Sequence, residues 1–173
     1  AFKTLQKALQ FACSGDQVWV AQGTYYPDEG AGYTNNDRSV SFNLKEGVKI
    51  YGGFSGNETQ LSGRNWATNV TIVSGDIDQN DGNNLANTSG NSYHVVRGGG
   101  SQAVFDGFTV QGGNANIPSG PNNQNNEDVG GGMYIGGNLT VSNCSIVGNQ
   151  AITGGGIFNA SSGYTLINCI VSG

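Results

Sequence analysis

Asp76, Asp78 and Asn80, within the stretch GDIDQNDGNN, offer side-chain oxygens at alternate positions, and Asp81 adds a carboxylate beside Gly82. Oxygens so spaced are what a hard cation such as Ca2+ collects, since it takes six to eight oxygen ligands. The stretch departs from a full twelve-residue calcium loop. Its glycine comes one residue late, and no Glu closes it. A solvated turn rich in Asp and Asn, following a strand, uses the same residues. These four residues are the metal-ligand candidates.

Other reactive side chains are sparse. His94 is the only histidine and lies in the strand-like YHVV, where a catalytic role would need a nucleophile or carboxylate that no spacing supplies. Arg97 is the only basic residue in the second half, with Asp106 near it in sequence. A lyase would need such a base beside acidic residues holding calcium. An inverting glycosidase would need two carboxyl groups about 6.5–9.5 Å apart, for which Asp76, Asp78, Asp81, Asp106, Glu127 and Asp128 are the available pool. Trp19, Tyr25, Tyr26, Tyr33, Tyr51, Trp66 and Tyr134 could stack on sugar rings or cover the core. Cys144 and Cys169 could close a disulfide if their turns adjoin. Side chains stacked in one file point in parallel, however, so buried thiols acting as small apolar groups are the expected state.

The elements that must position these residues show in a repeat. GGGM at Gly130–Met133 returns as GGGI at Gly154–Ile157, a step of 24, and NC at 143–144 returns at 168–169, a step of 25. Short apolar runs separated by Gly- and Asn-rich loops recur along the chain: VSFNL, VKIYGGF, TIVSG, YHVVRG, AVFDGFTVQGG, LTVSNCSIVGN and YTLINCIVSG. Such recurrence predicts a coil whose turns lie on one another as parallel strands about 4.8 Å apart. Alternation within each strand places Phe108 and Val110 inward, with Cys144 and Ile146, then Cys169 and Val171, as their successors. The polar segment NANIPSGPNNQNNEDV explains the longer step of 36 from Phe108 to Cys144. Glycine triplets allow sharp bends between faces, and Asn149 is expected in a left-handed corner. Phe2, Leu5, Leu9 and Ala12 keep helical spacing, so residues 1–12 are predicted as a helix capping the coil's first turn.

Composition agrees with many short strands. Of 173 residues only 11% are charged and 30 are glycine, a balance that disfavours helix interiors. A net charge of −5, with no Lys or Arg after Arg97, argues against a nucleic-acid partner. No apolar run approaches the roughly 20 residues of a membrane span. The chain opens inside a helical pattern and stops at the end of a strand, as a piece of a longer or processed protein would.

GNQAITGGGIFN and NCSIVGNQA resemble the GGA[IL] and FxxN repeats of the chlamydial polymorphic outer-membrane proteins, with GGG in place of GGA and Ile in place of Phe. GDQVWVAQGTYYP, VKIYGGFSGNET and TIVSGDIDQND through NSYHVV are similar to secreted right-handed parallel β-helix proteins of Bacteroidetes type. The resemblance implies a right-handed coil with an N-terminal capping helix, exported to the bacterial cell surface or beyond, and often part of an adhesin stalk.

The expectation is thus an all-β, right-handed parallel β-helix: one domain over 1–173, with the capping helix at 1–12 and coil turns from 13 onward. Its expected role is an extracellular structural or adhesive scaffold. The alternative is a carbohydrate-active β-helix, as an enzyme or a sugar-binding module. Its expected partners are further turns of the same chain or another copy at an open C-terminal end, with carbohydrate as a further ligand class and Ca2+ as the candidate ion.

Overall fold

The computed structural model describes residues 1–30, 32–98, 100–118, 123 and 126–172. The chain begins with one α-helix, α1 (Leu5–Phe11), and continues in short strands. Thr4 caps the helix by accepting the Lys7 N–H at 3.3 Å. At the other end, Lys45 Nζ donates to the carbonyls of Gln10 and Ala12 at 2.8 and 3.1 Å, satisfying acceptors the helix leaves open. Leu5, Leu9 and Ala12 are buried in the common core, and α1 lies against the strands of the first turn. Phe2, expected on the same apolar stripe, is instead 56% exposed. It precedes the cap, so helical spacing no longer governs it, and it stacks on the exposed Phe11 at 5.8 Å.

The strands fill three parallel sheets in rotation. The first turn has β1 (Gln17–Ala21), β2 (Gly23–Tyr25) and β3 (Phe42–Leu44); the second has β4 (Lys49–Phe54), β5 (Thr71–Ser74) and β6 (Val96–Gly98). The third has β7 (Ala103–Asp106), β8 (Thr109–Gln111), a two-residue β9 (Asn114–Ala115) and β10 (Met133–Ile135). The fourth has β11 (Leu139–Ser142), β12 (Ser145–Val147), β13 (Gln150–Ala151) and β14 (Ile157–Asn159), and β15 (Tyr164–Ile167) and β16 (Ile170–Ser172) follow. Hydrogen-bonded order is β1-β4-β7-β11-β15 in one sheet, β2-β5-β8-β12-β16 in the second and β3-β6-β10-β14 in the third. β9 and β13 form a small fourth pair. This is the arrangement of a parallel β-solenoid, in which each strand pairs with its counterpart one turn away.

The register matches the repeat steps. Met133 pairs with Ile157, Ser145 with Ile170, and Leu139 with both Ala103 and Tyr164. Side chains alternate along each strand, so one file in each sheet faces inward. Ile50, Phe105 and Val141 form the file of the first sheet, Val73, Val110 and Ile146 that of the second, and Phe42, Val96 and Met133 that of the third. All nine are at most 1% exposed and belong to one core cluster. Phe105 and Phe108 stack at 4.2 Å inside it.

The glycine triplets work mainly through space. A Cβ at Gly131 would sit 2.0 Å from the Gln150 carbonyl oxygen, a clash that only glycine avoids as successive backbones close up. Asn149 departs from expectation. The left-handed residue there is Gly148 (φ 63°), and Asn149 is not among the residues with positive φ. Its buried side chain instead accepts the Gly113 N–H at 2.9 Å and donates to the Val110 and Val147 carbonyls at 2.9 and 3.0 Å. An asparagine amide can serve as donor and acceptor at once, and here it joins two turns. The segment expected as a polar insert, 114–129, contains β9 and reaches residues 119–122, 124 and 125, which lie outside the described residues.

Candidate functional site

The corner between the first and second sheets carries an ion pair and a run of side-chain hydrogen bonds. Gly107, Asn143 and Asn168 turn the chain there in consecutive turns, with φ of 83°, 51° and 51°. Asparagine tolerates this left-handed backbone better than most residues, so AVFDGFTVQGG and LTVSNCSIVGN each bend into two strands rather than run as one.

A hydrogen-bonded chain climbs this corner. The Arg64 guanidinium, delivered by the loop after β4, donates to the Gly52 carbonyl at 3.0 Å, the Asp106 carbonyl at 3.2 Å and the Asp106 carboxylate at 2.5 Å. Both side chains of this ion pair are about nine-tenths buried, at 9% and 11% exposed. Asp106 also accepts from Ser142 Oγ at 2.6 Å and from Asn143 Nδ2 at 3.2 Å. Asn143 in turn accepts from Asn168 Nδ2 at 2.8 Å. The guanidinium lies 5.0 Å from the ring centres of both Tyr51 and Trp66, close enough for cation–π attraction. With both carboxylate oxygens engaged, Asp106 holds turns together.

Beside this chain lies an open cavity of about 270 Å³, lined by Trp66, Thr71, Phe108, Asn143, Cys144 and Cys169 among others. Trp66, 40% exposed, forms one lip. Trp19 and the tyrosines considered for sugar stacking do not line this cavity. Trp19 stacks on Phe54 at 4.8 Å, and Tyr134 packs near His94 and Phe158 in the third sheet.

The structure separates the pair weighed for lyase chemistry. Asp106 ends β7 in the first sheet, whereas Arg97 sits in β6 of the third, 4.9 Å from the Tyr134 ring. His94 is 2% exposed, and its Nδ1 lies 3.0 Å from the Gly130 carbonyl. Asp128 accepts from Asn123 at 2.6 Å, and Glu127 is buried. Arg64, the cation paired with Asp106, carries no local signal in SGRNWATN. Its partner is 42 residues away.

The Asp76–Asp81 turn is largely committed to itself. Asp76 accepts the Asn80 N–H at 3.0 Å, Asp78 accepts from Asn80 Nδ2 at 2.7 Å, and Asp81 from Asn91 Nδ2 at 2.8 Å. Burial holds the Asp81 carboxyl above its usual range, and the neighbouring Asp76 and Asp78 charges push the same way. Asp78 Oδ1 and Asn91 Oδ1 are buried with no hydrogen-bond partner. Among the described residues, no three carboxylate, thiol or imidazole side chains gather as a metal site.

Among the described residues no helix is long and apolar enough to cross a membrane. Compared with protein-family models, curated proteins and solved structures, the chain matches none.

Proposed function

We propose that this chain is part of an extracellular, bacterial cell-surface scaffold of structural or adhesive type, a right-handed parallel β-helix whose first turn is covered by α1. The observation that carries this reading is the use made of the polar groups. Arg64, Asp106, Asn143 and Asn149 spend their hydrogen bonds joining one turn to the next, as a rod would require. The resemblance to secreted β-helix proteins supports the location. β15 and β16 leave Leu166, Ile167, Ile170 and Val171 exposed beside a strand edge. The partner proposed for that edge is a further coil, from the same chain or another copy. Single-molecule pulling between α1 and β16 should release length turn by turn, at about 3.5 Å per residue. Steady release of reducing ends from a polysaccharide would overturn the scaffold reading.

Trp66 favours a second reading, a sugar-binding module. An exposed indole at the lip of a cavity rimmed by Thr, Ser and Asn supplies an apolar platform with directional polar groups.

Calcium at Asp76, Asp78, Asn80 and Asp81 belongs to the scaffold reading as a structural ion. It would relieve the mutual repulsion of three carboxylates and would need amide and water oxygens besides them. Calorimetric titration with Ca2+ should give heat with the wild type and none with Asp78→Ala. Silence from both ends the calcium proposal.

A further inference from the structure

We propose that Cys144 and Cys169 form a redox modification site, at which a low-molecular-weight disulfide oxidises two stacked thiols to a bond between consecutive turns. The inference rests on the register of the coil and is independent of the scaffold reading. Cys144 immediately precedes β12 and Cys169 immediately precedes β16. Ser145 pairs with Ile170, and the Cys144 carbonyl accepts the Ile170 N–H at 2.9 Å, so the cysteines occupy successive rungs of one inward file. Neighbouring strands lie about 4.8 Å apart, inside the roughly 4.4–6.8 Å Cα separation that disulfides span. Each thiol donates to the carbonyl two residues before it, Cys144 to Ser142 at 3.1 Å and Cys169 to Ile167 at 3.3 Å, so the two side chains hold the same pose one turn apart. Both are free, and the 270 Å³ cavity opens onto both.

The two sulfurs differ in a way that assigns their roles. Cys144 is 3% exposed, whereas Cys169 is only partly buried. The neighbouring Cys144 thiol holds the Cys169 thiol below its usual range, while burial pushes Cys144 up. Cys169 is therefore the attacking thiolate and Cys144 the resolving thiol. In the first step Cys169 Sγ attacks one sulfur of a reagent such as oxidised glutathione. A protein–glutathione disulfide forms, and one glutathione thiolate leaves. In the second step Cys144 gives its proton to the departing thiolate and attacks Cys169 Sγ, expelling the second glutathione. The protein loses two electrons and two protons, and the reagent gains them as two thiols.

The test uses the chain with Cys13→Ser, which removes the exposed third thiol. After native incubation with oxidised glutathione, the mass should fall by about 2 Da as both thiols are lost. Proteolysis should then yield a peptide linking residues 144 and 169. In the same background Cys144→Ser should halt at a glutathione adduct on Cys169, and Cys169→Ser should stay unreacted until denatured. If the folded chain keeps both thiols free, or carries glutathione on both without the link, the proposal is overturned. Because the linked peptide is sought with both cysteines present, a variant that fails to fold does not decide the outcome.

Discussion

Ile146→Asp is expected to lower the thermal midpoint by roughly 10–20 °C, the largest effect of any single change described. Ile146 is fully buried, stacked between Val110 and Val171 in the inward file of the second sheet. A carboxylate placed there has no partner in the surrounding core, and an unpaired buried charge costs about 4–5 kcal/mol or more. For a chain of this size each kcal/mol moves the midpoint by roughly 2–4 °C. Thr140→Asp is the matching control. Thr140 pairs with Val104 and Thr165 on the outward file of the first sheet, so the change should stay within about 0.5 kcal/mol. Equal shifts from the two variants, followed by circular dichroism, would show that the assignment of faces is wrong.

Arg64→Ala should cost about 3–5 kcal/mol, the range for removing one partner of a buried ion pair. Its guanidinium donates to two carbonyls as well as the Asp106 carboxylate, so three acceptors lose a donor together and the carboxylate loses its countercharge. Arg64→Lys should recover little, because a single ammonium cannot reproduce the planar fork. Asp106→Asn should be milder, since an amide oxygen can still accept from Arg64. The double change Arg64→Ala with Asp106→Asn should cost less than the separate costs added, because the stranded charge is gone. Strict additivity in denaturant melts would mean the pair is not coupled.

The coil was legible because its evidence is periodic. A step of 25 between Cys144 and Cys169 survives translation into register unchanged, and so does the longer step of 36 from Phe108. The inward series Val110, Ile146 and Val171 follows from alternation once that register is known. Side-chain roles that depend on distant partners were not legible. Asn149 stands beside a glycine at the end of a strand and so invites a backbone reading, yet its amide bridges to Val110, 39 residues away. Arg64 sits in a polar loop with no periodicity, and nothing local points to Asp106. The acidic turn at Asp76–Asp81 was visible as a cluster, but its internal hydrogen bonds and the buried, unpaired oxygens of Asp78 and Asn91 emerge only with the loop's path.

Pairings within the first sheet also measure how much chain each turn consumes. Gln17 pairs with Lys49, Lys49 with Val104, Ala103 with Leu139 and Leu139 with Tyr164, giving circuits of 32, 55, 36 and 25 residues. The cross-section stays the same while the circuit more than doubles. Closing a flexible loop costs entropy that grows only as the logarithm of its length, so the 55-residue circuit is dearer than the 25-residue one by about 0.7 kcal/mol. That small difference still sets a sequence of events during folding. The pair β11–β15 closes with the least delay, β1–β4 and then β7–β11 follow, and β4 docks on β7 last across the long excursion that carries the Arg64 loop and the acidic turn. Assembly would thus join two separately closed halves of the coil at the β4–β7 pairing, with the side loops settling after the strands that bracket them.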